Sequence, residues 1–488
     1  MLTQRLVELT RWGWEKRIII LDKDGLWERL GGNALSGREP YTTYIIHDEM
    51  MLRYLYEKIC RSDDKQCLLV ISNPMVGVPY DIGKRFYILD LNFGNLFPQL
   101  SSDALRGLPG LDLEQVAFAL DQYVGPRMGH DAARHFCTET IYRREYAQSY
   151  SDMLLQRCLS SVEGALTYLD WGKIASWYGK AMMLSRAFGL SPAVSEQVGV
   201  LQTAFAEWMA EEYRKLSAEV NLEQPVLLSD VVDFLRRQSR KVALIVLDGM
   251  SFENLHTIQR HLLEIGINAE SSGVFSFLPS VTTIARQCLF AGKLPVELPT
   301  LSTLTHEEKQ WRSFWRNAGL REEEICFAKA DTLEIDERWK AVGLVVNIID
   351  DLMHSQLQGM DGMARDLKAW VKTGRLKTLL NDFDKAGFQV WLTSDHGNAS
   401  AIAQGRLKNL GVLGDPASKR AVIYQSFVDA IELDKFNVNQ YDGTYLPSDS
   451  NAWLFAPGAC YGDAGKEYIT HGGMTIEEVI VPFVQIGA

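Results

Sequence analysis

The sequence has no excess of positive charge, no apolar run long enough to cross a membrane and no paired-cysteine motif. Lys and Arg number 50 against 62 Asp and Glu, a formal charge of −12. That balance argues against a protein that coats nucleic acid through a broad basic face. A nucleotide or a strand end held in a metal-lined pocket stays compatible, because cations there supply the positive charge. The seven cysteines, at 60, 67, 137, 158, 288, 326 and 460, are odd in number and never spaced CxxC. Reduced thiols fit that pattern better than a disulfide framework or a zinc finger. The longest apolar runs, such as Val242 to Leu247, are strand-sized, far below the ~20 residues of a membrane helix. The opening MLTQRLVELTRWGWEKR mixes acids and bases and holds no apolar stretch of signal-peptide length. A cytoplasmic protein with no membrane partner is the expectation. Internal repeats and low-complexity tracts are also lacking.

What is present points to a large α/β protein. With 488 residues, 47% of them hydrophobic, two or three domains are expected. Residues 1–110 carry short apolar runs that stop at polar turns: IIIL before Asp22, LLVIS before Asn73-Pro74 and FYILDL before Asn92. Buried parallel strands have this look, and a small Rossmann-like α/β domain is expected there. Residues 111–235 lack such runs, and segments such as LEQVAFALDQYV repeat apolar residues every three or four positions. A helical domain follows from that period. Its Trp171, Trp177, Tyr178 and Trp208 are read as core, not as a platform for stacking bases. Residues 240–488 alternate strands and helices again. VALIVLD, GLVVNIID, FQVWLTSD and EVIVPFVQI are near-continuous apolar runs of the parallel-sheet kind.

Three of those runs end in an aspartate: Asp248, Asp350 and Asp395. Ligands of open parallel sheets bind beyond the carboxyl ends of the strands, and three carboxylates gathered there repel one another unless cations neutralise them. His396 follows Asp395 directly. His354 lies four residues after Asp350, so a helix there places both on one face. His471 sits in THGGM, where glycines permit close backbone approach. Mixed Asp and His donors suit zinc or manganese over magnesium or calcium. A hydroxyl is supplied by Ser280-Val281-Thr282-Thr283-Ile284-Ala285-Arg286, which reads as a loop entering a helix. Backbone N–H groups at a helix start favour bound phosphate. Each feature alone is commonplace, since a strand-end Asp is most often a turn residue. The order Asp, Thr, Asp-x-x-x-His, Asp-His, His is what chance explains poorly.

LPSVTTIARQCLFAGKLP, NIIDDLMH, WLTSDHGN and THGGMTIEEVIVPFV, in that order and spacing, resemble the successive motifs of the alkaline phosphatase superfamily, and most closely its PglZ branch from BREX phage-defence systems. The resemblance covers about the last half of the chain. It implies an alkaline phosphatase-like catalytic domain at 240–488 behind the α/β and helical domains. It implies two divalent metal ions, most often Zn²⁺ with Mn²⁺ as the alternative. One would be held by Asp248, Thr282, Asp395 and His396, the other by Asp350, His354 and His471. Thr282 would be the nucleophile of a phosphodiesterase or phosphatase, since the P-x-x-T spacing falls on it and not on Thr283. Arg286, one turn further on, is open between a phosphate clamp and a surface residue. The stretches 284–345 and 397–455 are expected to wall the pocket. A phosphate ester, including a nucleotide or nucleic-acid end, would be the substrate, and other BREX proteins the partners.

Other readings carry less. IIILDKDGLW resembles the first motif of haloacid-dehalogenase phosphatases, with Asp22 and Asp24 as the pair, yet the downstream lysine and acidic motifs are not evident. A receiver domain at the N-terminus lacks its second acid and its paired lysine. A sulfatase needs Cys or Ser where Thr282 stands. A phosphomutase on the same core, or a catalytically silent scaffold of a defence complex, remain the alternatives. The other six histidines (47, 130, 135, 256, 261 and 306) are read as structural, and Asp351 lacks the four-residue spacing to His354 that Asp350 has.

Overall fold

Apolar runs of five or six residues become strands in both halves of the chain. The computed structural model describes residues 2–30, 41–60, 66–108, 110–189, 192–301, 303–304, 306–408, 418–424 and 433–487. They form two units, Met1–Tyr150 and Ser151–Ala488. In the first, β1 (Arg17–Asp22), β2 (Thr42–Ile46), β3 (Cys67–Ile71) and β4 (Tyr87–Leu91) make a parallel sheet in the order β2-β3-β1-β4. β3 is buried at every position, as an unalternating run of CLLVI requires. Ile19, Leu52, Leu69 and Phe86 build the core on one face of this sheet. Helices Leu113–Gln122 and His130–Thr138 belong to this unit, whereas Tyr168–Arg186 and Pro192–Glu212 belong to the second. The helical stretch is thus shared between both units.

The second unit is built on a six-stranded sheet. Its strands are β5 (Val242–Leu247), β6 (Asn268–Phe275), β7 (Ile325–Lys329), β8 (Ala341–Val346), β9 (Gln389–Thr393) and, after six short strands, β16 (Ile480–Gly487). The short ones, β10 (Ala399–Ala403), β11 (Ala421–Tyr424), β12 (Val438–Tyr441), β13 (Asn451–Phe455), β14 (Ala459–Cys460) and β15 (Glu467–Thr470), form two three-stranded sheets. The order of the large sheet is β6-β16-β9-β5-β8-β7. β5 and β8, near its middle, are buried at all six positions. β5, β7, β8 and β9 pair in parallel, so their carboxyl ends reach one edge.

One strand corrects its expectation. EVIVPFVQI reads as a parallel strand, but β16 is antiparallel to both β9 and β6. Only nine residues separate β15 from β16, and a parallel return needs a crossover of about a dozen or more. The chain reaches the ligand edge at His471 and re-enters the sheet from that edge. The apolar run reports burial on both faces, which an interior antiparallel strand shares.

The helical aromatics are core. Trp171 is fully buried, 4.9 Å from the Phe205 ring, and Trp208 lies 5.6 Å from Phe275 on β6. Gly172 lets the Tyr168–Arg186 helix lie on that strand: a Cβ there would stand 3.4 Å from the backbone of Gly273. Among the described residues, no helix is long and apolar enough to cross a membrane, and six cysteines are free and buried.

Candidate metal centre and nucleophile

Each candidate ligand leaves a secondary-structure end at the carboxyl edge of the large sheet. Asp248 follows β5 directly, and Asp395 follows β9 after Ser394. Asp350 differs from its expected strand-end position. β8 stops at Val346, and Asp350 falls in the first turn of helix Ile348–Ser355. That helix sets Asp350 Oδ1 3.0 Å from His354 Nε2, the contact expected of an i, i+4 pair. Asp351, on the next position, is exposed. Thr282 opens helix Thr282–Ala291, so its hydroxyl stands where unpaired N–H groups emerge.

The structure brings these residues into two groups. Asp248, Asp395 and His396 form one, and Asp350, His354 and His471 the other, with potential ligand atoms in each within 4.8 Å of one another. The groups adjoin: the rings of His396 and His471 stack at 3.8 Å, tilted by 10°. Thr282 Oγ1 lies 2.8 Å from His396 Nε2 and is 8% exposed. Thr283 Oγ1 is buried without a hydrogen-bond partner among the described residues.

Hydrogen bonds fix the histidine tautomers. His396 Nδ1 lies 2.8 Å from the carbonyl of Gly397. A carbonyl only accepts, so Nδ1 carries the proton and the Nε2 lone pair faces Thr282. His471 Nδ1 lies 3.0 Å from the Ser280 carbonyl, which leaves its lone pair on Nε2 by the same logic. Backbone acceptors that orient imidazoles in this way are typical of metal-ligating histidines.

The carboxylates are strongly perturbed. Burial first, and then the neighbouring Asp395, push Asp248 up to about 7. Burial likewise raises Asp395. Asp350 behaves oppositely: burial opposes the shift, but the His354 hydrogen bond and nearby imidazoles hold it below the usual range. Asp248 Oδ1 and Asp395 Oδ2 are buried and meet no hydrogen-bond donor among the described residues. Two such oxygens facing an imidazole lone pair and a hydroxyl make a donor set that a divalent cation satisfies. The residues fit that group.

Arg286 is neither exposed nor open to solvent. It is 2% exposed; Nη1 donates to Asp248 Oδ2, and Nε donates to Glu307 Oε2 at 2.8 Å. Sequence reasoning missed Glu307, as it missed the side chains that brace the loops. Ser394 Oγ accepts from Met250 N–H and donates to the Leu247 carbonyl, each at 2.8 Å, which ties the ends of β5 and β9. Ser280 Oγ donates to the Gly473 carbonyl at 2.8 Å, and buried Arg420 pairs with Glu478 behind the same THGG loop. Glu478 accepts from Gly473 N–H at 2.9 Å. Ser280, Ser394 and Glu478 are single polar residues inside the motifs, Glu307 and Arg420 lie outside them, and none has a periodicity to distinguish it. The Asp22 and Asp24 pair is consumed locally. Asp22 accepts from the N–H groups of Leu26 and Trp27 at 2.8 and 3.0 Å, and Asp24 from Phe93 N–H and Arg106. Parts of the expected pocket walls, at 302, 305, 409–417 and 425–432, lie outside the described residues.

A parallel-rich sheet with this acid and histidine edge is that of an alkaline phosphatase-like domain. The family described as the BREX system PglZ alkaline phosphatase-like domain matches residues 226–486, and the chain belongs to it. No curated protein matches the chain. Among solved structures, murine ectonucleotide pyrophosphatase/phosphodiesterase 5 is similar at 14% identity, covering 50% of this chain and 87% of its own, with a TM-score of 0.36. Phosphonoacetate hydrolase from Sinorhizobium meliloti is similar at 13% identity, covering 50% and 90%, with a TM-score of 0.36.

Proposed function

We propose that the chain hydrolyses phosphoric esters with Thr282 as nucleophile and two divalent metal ions, most often Zn²⁺ with Mn²⁺ as the alternative, within a BREX-type phage-defence system. The observation that carries this reading is the placing of one hydroxyl, Thr282 Oγ1, 2.8 Å from a histidine lone pair and beside two converging donor groups. Asp248, Thr282, Asp395 and His396 would hold one ion, and Asp350, His354 and His471 the other. Bound there, the ions supply Lewis acidity that eases loss of the hydroxyl proton and offsets charge on the phosphoryl group.

The chain's own residues do the rest. Thr282 Oγ1 attacks phosphorus; the Oγ–P bond forms as the bond to the leaving oxygen breaks, and the leaving group takes up a proton. Water then cleaves the Oγ–P bond of the phosphothreonine, releasing the phosphoryl product and restoring the hydroxyl. N–H groups at the start of the Thr282–Ala291 helix meet the phosphoryl oxygens. Arg286 acts through Asp248 as a positioning residue, because Nε and Nη1 are already held. With that guanidinium engaged, Arg286 is not available beside the ions to meet the extra charge of a dianionic monoester. Phosphodiesters, including nucleotide or nucleic-acid ends, are therefore favoured over monoesters. The test is a panel of phosphomonoesters, phosphodiesters and oligonucleotides with added Zn²⁺ or Mn²⁺. Diester cleavage that Thr282→Ala abolishes supports the reading; a clear preference for para-nitrophenyl phosphate over its diester removes the diester assignment. Absence of any turnover with metal-loaded protein removes the enzyme.

A further inference from the structure

A second cavity in the same unit has the opposite electrostatic character to the metal centre. It measures about 630 Å³ and is lined by Lys293, Lys309, His306 and Arg236, with no Asp or Glu among the described residues of its walls. Lys293 and Lys309 are exposed, and neither forms an ion pair among the described residues. Arg236 is partly neutralised by Asp233 at 2.6 Å. In a chain of net charge −12, two lysines with no ion pair among the described residues, over a hollow whose described walls carry no acid, mark a place where an anion is favoured. The remaining wall sets apolar Leu298, Pro299 and the half-buried ring of Phe314 beside polar Gln310, Ser313 and Asn317.

The cavity is separate from the catalytic edge. Thr282 and Ala291 are the two ends of one ten-residue helix, about 14 Å apart at 1.5 Å per residue, and the cavity is at the Ala291 end. The carbonyls of that helix end bear about half a negative charge. One of them, the Cys288 carbonyl, accepts from the N–H groups of Gly292 and Lys293 at 3.0 and 3.4 Å. Two whole lysine charges outweigh that half charge. The cavity size lies within the about 300–1,000 Å³ typical of small-molecule sites. A ring face beside fixed cations is the combination that holds a base and its phosphate.

We infer that this cavity binds a nucleotide, with its phosphate on Lys293 and Lys309 and its base against Phe314 and Leu298. The nucleotide is either free or one unit of a single strand, and the site is independent of turnover at Thr282. The test is calorimetric titration of the full chain in EDTA at low salt, with AMP, inorganic phosphate and a short oligothymidylate as probes. AMP binds more tightly than inorganic phosphate. Lys293→Glu/Lys309→Glu weakens AMP about tenfold or more, Phe314→Ala removes the advantage of AMP over phosphate, and His471→Ala changes neither. Tighter binding of the oligothymidylate than of AMP identifies a strand as the source; AMP alone identifies the free nucleotide. The inference is overturned if wild-type protein binds no probe. It is equally overturned if the double charge reversal leaves AMP affinity unchanged, if phosphate equals AMP, or if His471→Ala weakens AMP as much as the lysine changes do. Because binding is read without catalysis, failure here leaves the hydrolase reading untouched, and the reverse.

Discussion

Two aspartates that end apolar strands have opposite fates in this chain. In the first unit Asp22, after IIIL, gives both carboxylate oxygens to the backbone of the next helix, at Leu26 and Trp27. In the second unit Asp248, after LIVL, gives one oxygen to Arg286 and leaves the other buried without a donor among the described residues. The local sequences are nearly the same, so the strand-end acid itself carries little information. What differs is what arrives from elsewhere. Around Asp248 the fold delivers Asp395, His396 and Thr282, and the extra carboxylate makes a donor set that a divalent cation would satisfy.

The largest expected effect separates the two threonines. Thr282→Ala removes the proposed attacking oxygen and is expected to lower activity by on the order of 10³-fold or more, while folding survives, since a buried hydroxyl contributes only ~1 kcal/mol. Thr282→Ser retains measurable activity, and Thr283→Ala stays near wild type. Parallel assays with metal content measured in the same samples decide this. If Thr283→Ala is the inactive variant, the nucleophile is misassigned by one residue.

Next come the acids. Asp395→Ala is expected to lose activity together with one of about two zinc equivalents per chain, whereas Asp22→Ala keeps both. Elemental analysis of zinc-reloaded protein measures it, and loss of zinc on Asp22→Ala would break the contrast between the two edges.

The third prediction concerns Arg286. Arg286→Met leaves Asp248 a buried carboxylate without its arginine and Glu307 paired with Lys329 alone, and is expected to cost roughly 3–5 kcal/mol in denaturant unfolding of metal-free protein. A loss below ~1 kcal/mol would mean that Asp248 does not depend on it.

pH gives a smaller effect with a definite sign. Asp248 and Asp395 titrate higher in the fold than unfolded, so in EDTA their contribution is present below the ordinary carboxylate range. It is lost as pH rises towards about 7. Asp350, depressed, opposes this only at acidic pH. Zinc binds the deprotonated ligands, so the gain in Tm on adding zinc is expected to grow from pH 5 to pH 8. Thermal melts with and without zinc test it, and a constant gain would disconnect the acids from the metal. The smallest effect is stability at the first edge: Asp22→Ala is expected to cost about 1–3 kcal/mol by orphaning two helix N–H groups, with activity intact.

The sequence by itself determined whatever depends on neighbours along the chain. Apolar runs became strands, the three-to-four period of LEQVAFALDQYV became the Leu113–Gln122 helix, and the Asp350–His354 spacing became a contact, because a helix brings residues four apart together. The order of acids and histidines also located one edge of one sheet, since parallel strands deliver their ends to the same side. Tertiary structure decided the rest. The short return from His471 made β16 antiparallel, against the reading of its apolar run. Packing of Glu307 against the Thr282–Ala291 helix turned Arg286 from a candidate phosphate clamp or surface residue into the counter-ion of Asp248. Lys293 and Lys309 met across a cavity, and Ser394 and Ser280 became braces. Each of these depends on partners distant in sequence, and a single polar side chain has no period that announces which distant group it will meet.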